Sequence, residues 1–339
     1  MNSNQLSVIS GENWGLLGHE WAVEMLKQHL TRDRLRHAYL FAGPPGLGRR
    51  SLALRFVQAL NCPWPSAPGE PCLACRTCKQ IEAMQFPDLA VVQAEKEGGV
   101  LRVEQIREVQ HSLSLAPYQG RYRVALFLRF QEANANAANA LLKTLEEAPP
   151  QVILLLTADS VDLLLPTIVS RCEVLRLRPL PTETVQAYLQ ERGSDETQAR
   201  LIAHLSGGRP GYALRLLSDP AMLAFRQIRL NDLHKLLAAN RRDRFAYADS
   251  LAKDKEAFRD VLLTWLTYWR DVMLCAAKAD TPPVNIDRTE EIETLAKQLS
   301  LAQARRLVSD VERAVDRLEK NVNARLLAEV LLLDWPKET

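Results

Sequence analysis

Residues 43–51, "GPPGLGRRS", carry the glycine spacing of a phosphate-binding loop. In the pattern G-x-x-x-x-G-K-[ST], backbone N–H groups cradle phosphates, the Lys reaches the β/γ-phosphates and the hydroxyl holds Mg²⁺. Gly43 and Gly48 stand at the required interval, but Arg49 takes the Lys place, Arg50 takes the Ser/Thr place, and Ser51 comes one residue late. The loop is therefore degenerate. Further along, Cys62, Cys72, Cys75 and Cys78 fall in "NCPWPSAPGEPCLACRTCK", spaced C-x9-C-x2-C-x2-C. Four thiolates close in sequence point to a metal rather than to disulfides. Four Cys fill a tetrahedral Zn²⁺ shell with no place left for water, so such a site is structural. An iron–sulfur cluster and free thiols stay open as alternatives. The C-x2-C-x2-C part matches a ferredoxin motif, but Lys79 follows and the fourth Cys lies upstream. Cys172 and Cys275 stand alone and read as small buried apolar residues.

The elements that must position these groups differ between the two halves. "AYLFAG" (38–43), "DLAVVQ" (88–93), "RVALFL" (123–128) and "QVILLLTA" (151–158) read as buried strands, and "EVLRLRPL" as a fifth. Helical patterns alternate with them: "RRSLALRFVQALNC" after the glycine loop, then "VEQIREVQHSLSL" and "NANAANALLKTLEEAP". Near-continuous apolar strands alternating with helices imply a parallel sheet covered on both faces, with ligands at the carboxyl ends of the strands. From about residue 178 the chain is Leu-, Ala- and Arg-rich and helical, interrupted by "SGGRPG" and "ADTPPVN". Its last apolar residues recur at i, i+3, i+4 and i+7, so that face is buried in a bundle or against other subunits.

Composition narrows the function little. The 339 residues suggest two or three domains, and 47% hydrophobic with 25% charged residues is ordinary for a globular protein. A net charge of +2 gives no general case for nucleic-acid or membrane binding. No stretch reads as a signal peptide or membrane span, so a cytoplasmic protein is expected.

Five stretches taken together, "RHAYLFAGPPGLGR", the four-Cys insertion, "FPDLAVV", "NALLKTLEEAP" and "LLPTIVSRCEVLRLRPL", resemble the bacterial clamp-loader subunits of DNA polymerase III, which are AAA+ proteins. The likeness covers residues 18–180, with a weaker echo in "GGRPGYAL" and "NVNARLLAEVLLL". It implies an AAA+ domain over 1–177 with a zinc module near 62–78, a helical lid over 178–219 and a helical collar over 220–339. It also implies partners: the gamma/tau and delta subunits and, through the complex, the sliding clamp and primed DNA, with no membrane.

Departures from the family pattern select among its members. The ATPase members end the strand before "NALLK" in Asp-Glu, the Asp assisting Mg²⁺ and the Glu orienting water; here those places fall on Leu128 and Arg129. The lid Arg of their G-x-x-R pattern falls on Gly211, with Arg209 nearby. Phosphoryl transfer depends on positioning and charge stabilisation, so these losses imply the non-hydrolysing member. The Ser170-Arg171-Cys172 motif is retained, and by resemblance Arg171 reaches into a neighbouring subunit's ATP site. Two alternatives remain: an active ATPase of this family, or a stand-alone zinc-dependent nucleic-acid binding protein.

Overall fold

The computed structural model describes residues 13–320 and 322–336. The chain divides into two compact units, residues 1–188 with 208–212, and residues 189–207 with 213–339.

The first unit is an α/β layer structure. In chain order it runs α1 (Glu20–Thr31), β1 (Ala38–Ala42), α2 (Arg49–Asn61), α3 (Arg76–Glu82), β2 (Leu89–Val92), α4 (Val103–Leu113), β3 (Arg123–Phe127), α5 (Ala135–Glu146), β4 (Val152–Ala158), α6 (Pro166–Val169) and β5 (Glu173–Arg176). Helix α7 (Thr182–Glu191) crosses into the second unit. The five strands form one parallel sheet in the order β2-β3-β4-β1-β5. Every residue of β1 and β4 is buried, which is why both read as unbroken apolar runs. One core layer gathers Tyr39, Phe41, Phe56 and Leu155; the other gathers Leu40, Phe127, Leu141 and Leu154. Alternate residues of β1 thus feed opposite faces, as the period of two requires. This is the P-loop-type sheet, flanked by helices, that the sequence implied.

The register brings distant residues together. Ala42 of β1 pairs with Ala158 of β4, so Gly43 and Asp159 leave adjacent strands side by side. On the other side of β4, Phe127 pairs with Leu156, placing Leu128 and Arg129 beside the same strand end.

The second unit is all helix among its described residues. It holds α8 (Glu196–Ser206), α9 (Pro210–Ser218, from Ala213 on), α10 (Pro220–Ala238), α11 (Arg241–Leu251), α12 (Lys255–Ala276), α13 (Thr289–Gln298), α14 (Leu301–Glu319) and α15 (Ala324–Leu333). Helix starts carry their caps: Asp195, Asn240, Asp254 and Ser300 each accept a backbone N–H of the first turn. On α14 the buried residues are Ala304, Leu307, Val308, Val311, Ala314 and Leu318, one stripe at helical spacing. Trp265 and Trp269 of α12 meet Trp335 edge-on, with centroids 4.8 and 5.6 Å apart.

Arg244 is buried among these helices without a carboxylate. Its guanidinium donates instead to the carbonyls of Leu236, Leu237, Leu332, Trp335 and Pro336. These lie at or just beyond the carboxyl ends of α10 and α15, where carbonyls lack helical partners and the helix dipole is negative.

Candidate functional site

The glycine loop keeps its backbone form. It joins β1 to α2 through Gly43, Gly46 and Gly48, at φ of 152°, 87° and 93°. A Cβ on Gly43 would lie 2.8 Å from the Leu177 carbonyl, so no other residue fits there. His19 contacts the Leu47 carbonyl through Nε2, at 2.9 Å. Residue 211, the place of the family's lid Arg, meets the loop directly: Gly211 N–H donates to the Gly46 carbonyl at 2.8 Å. A side chain at 211 would begin 3.0 Å from that oxygen. Arg209 lies over the Tyr212 ring, 4.7 Å from its centroid.

The side chains tell a different story from the backbone. Arg49, only 9% exposed, turns to Asp159 at the end of β4, Nη2 to Oδ1 2.7 Å. The cation at the Lys place is thus paired with a carboxylate of the same chain. Arg50 and Ser51 are exposed on the first turn of α2. Leu128 is buried. Arg129 adopts φ 49°, donates its backbone N–H to Thr157 Oγ1 and pairs through Nε with Glu132 at 2.7 Å. Neither place itself carries a carboxylate. Beside the loop lies a pocket of about 260 Å³ lined by Gly43, Pro44, Asp159, Asp162 and Arg176, among others.

The cysteines converge at the other end of α2. All four sulfurs lie within 4.8 Å of one another; Cys62 to Cys72 is 3.5 Å and Cys72 to Cys78 is 4.0 Å. A tetrahedral ion with metal–sulfur bonds of ~2.3 Å requires sulfurs about 3.8 Å apart, so the donor set fits one metal ion. Cys62 caps the carboxyl end of α2 and Cys75 caps the start of α3. Between them, Leu73 at φ 57° supplies a tight turn. Backbone N–H groups point at the sulfurs: Cys72 N–H at Cys62, Cys75 N–H at Cys72, and Cys78 N–H at Cys75. The Ala74 amide leads the effects that draw the Cys72 thiol down to about 6, while burial pushes Cys62 and Cys78 up. The module is tied to the α/β unit by Trp14 Nε1–H to the Gly69 carbonyl (3.0 Å), Lys27 to Glu70 (2.7 Å) and Gln58 to the Cys78 carbonyl (2.8 Å).

Arg171 follows α6, whose first residue is Pro166, a residue pre-set for a helix start. Its guanidinium donates to the Thr167 carbonyl at 2.9 Å and pairs with Glu146 of α5 at 2.5 Å. At 34% exposure its side chain lies at the surface. Cys172 is half-buried against the sheet, and burial raises its thiol to about 12. Cys275 differs from the sequence expectation: it is exposed, because the last turn of α12 runs beyond the core that covers Val272. Asp159, Glu132 and Glu146, the carboxylates that neutralise these arginines, were not singled out from sequence. The acid one residue past β4 was the available signal, and it acquires meaning only through the strand register.

Comparison with known proteins bears on both units. Residues 18–181 match the family model described as DNA polymerase III, delta subunit, and residues 223–337 match that of DNA polymerase III, delta subunit, C terminal. The chain is 29% identical to DNA polymerase III subunit delta' of Bacillus subtilis, covering 92% of this chain and 94% of that protein. It is also 29% identical to subunit delta' of Pseudomonas aeruginosa, covering 94% and 97%. Over 61% of this chain and 30% of the relative it is 34% identical to DNA polymerase III subunit tau of Salmonella typhimurium.

Proposed function

Because the chain belongs to the delta-prime family of DNA polymerase III clamp-loader subunits, we propose that it is the complex's non-hydrolysing member. It assembles with gamma/tau and delta subunits in the cytoplasm and helps place a sliding clamp on primed DNA. Residues 1–177, 178–219 and 220–339 serve as AAA+ module, lid and collar. The observation that carries this reading is the double replacement in the nucleotide site. Arg49 is neutralised by Asp159, and the two acid places hold a buried Leu128 and an Arg129 tied to Glu132. Phosphoryl transfer draws on metal and positioned charge, and neither acid place supplies them.

Arg171 acts in trans. As the γ-phosphate of ATP bound to a neighbour leaves, charge spreads over its oxygens, and a guanidinium offered at the surface offsets it. The planar fork gives paired, directed donors that Lys lacks. Glu146, itself half exposed, holds the side chain with a bond that a phosphate can replace. The metal is zinc: four thiolates close its shell, and the ion supplies folding free energy to the module rather than chemistry.

Steady-state ATP turnover of the purified chain tests the reading. The expected value is that of a contaminating-ATPase control. Turnover that follows the chain through two purification steps and falls in Arg49→Ala would overturn it.

A further inference from the structure

One buried carboxylate serves neither the glycine loop nor the metal. Asp88, its side chain fully buried, accepts the backbone N–H groups of Tyr118, Gln119 and Gly120, each at 2.7 Å. Arg123 lies 3.5 Å from the same carboxylate and donates to the carbonyls of Ser112 and Leu115. The α4–β3 loop is therefore held along its whole length. Yet what it presents is an aromatic ring in solvent, for Tyr118 is 82% exposed. Holding a backbone rigid beneath an exposed ring removes the ordering cost that a ligand would otherwise meet.

The loop also adjoins the metal module. Asn61, the last residue of α2, accepts Tyr122 N–H through Oδ1 at 2.8 Å. A Cβ on Gly120 would lie 2.6 Å from that same oxygen, so the loop backbone is pressed against Asn61. Cys62 comes next in the chain, and Trp64, 74% exposed, is three residues on, within about 11 Å by chain length. Two exposed rings thus stand on two fixed platforms that meet at Asn61.

The unpaired charge around them is mostly positive. Arg76, Lys79 and Arg121 are exposed. The acids on these segments have partners of their own: Glu70 pairs with Lys27, Asp88 with the loop, and Glu82, exposed at the end of α3, with Arg55. Rings that offer a π-face, interleaved with cations, are what an unpaired strand requires: bases stack and phosphates meet positive charge. A duplex hides its base faces and is read by elements that enter a groove. An acidic peptide would meet the cations but leave the rings without partners.

We propose that the metal module and the Asp88-held loop together form a binding surface for single-stranded nucleic acid, with Trp64 and Tyr118 stacking bases and Arg76, Lys79 and Arg121 meeting phosphates. This surface is separate from Arg171 and from the glycine loop, and the isolated chain suffices to test it. The probe is a fluorescein-labelled oligothymidylate of about 20 nucleotides, titrated with the full, metal-loaded chain at about 50 and 200 mM salt. Anisotropy should show saturable binding, tighter than to a duplex of equal length. Trp64→Ala and Tyr118→Ala should each raise Kd about 5- to 150-fold. Arg121→Glu should weaken binding and flatten its salt dependence. All three side chains are exposed, so far-UV circular dichroism should match the parent chain. No binding, binding indifferent to both ring deletions, or equal competition by polyglutamate of matched charge would each overturn the proposal.

Discussion

Helix α2 carries the glycine loop at its first residue and the metal module at its last, and the two ends are made of different material. At the first, the form is backbone: positive φ at Gly43, Gly46 and Gly48, and a direct contact between Gly46 and Gly211. That form persists although the side chains that would act on a phosphate are exchanged. At the last, the site itself is four sulfurs within 4.8 Å of one another. A site built from backbone can lose its chemistry and keep its shape. A site built from side chains has no shape apart from them.

The largest effect should come from removing the sulfur-built end. Cys78→Ser, or stripping the metal with a chelator, should abolish hydrogen-exchange protection across residues 62–82 while the buried strands stay protected. Structural zinc contributes about 10–16 kcal/mol of binding free energy in zinc-finger peptides, and that energy is folding energy. Elemental analysis should return one zinc per chain. Iron, or no metal after gentle purification, would contradict the assignment.

A smaller effect is expected at the backbone-built end. Asp159→Asn leaves Arg49 buried without its carboxylate. Because Asp159 is about one-third exposed, the cost should be about 1–2 kcal/mol in urea unfolding, below that of a fully buried pair. Arg49→Met in the same chain should recover most of it, since the two residues act on each other. Strict additivity would mean that the pair does not hold the loop.

The smallest effect is none. Restoring the loop with Arg49→Lys and Arg50→Thr should leave the isolated chain without turnover, because Leu128 and Arg129 still occupy the acid places. Turnover appearing in that variant would show that the loop alone had been limiting.

Much of this contrast was legible in the sequence because motifs are written in residue types. The cysteines and glycines announced themselves, and β1 and β4 read as strands because both faces are buried. Helix α1 gave no start signal: its cap is His19 at φ 63°, with no side-chain bond. The Arg49–Asp159 pair was hidden by 110 residues of separation, and only the β1–β4 register joins it. Nothing in the sequence marks Arg244, since three of its five carbonyl partners lie 88 or more residues away. Cys275 was misread because an isolated cysteine reads as a small buried residue, and residue type cannot say where the core stops.

The central claim is that this chain uses an arginine for a neighbour's ATP and none for its own. The direct measurement compares Arg49→Ala with Arg171→Ala in the complex reconstituted with wild-type partners, assembly being verified by gel filtration. DNA- and clamp-stimulated hydrolysis should be unchanged by Arg49→Ala. It should fall about 10- to 100-fold with Arg171→Ala, short of the ~10³–10⁵ of a sole arginine finger because the other sites keep their own. Normal hydrolysis with Arg171→Ala at full assembly, or a fall with Arg49→Ala, would contradict the account.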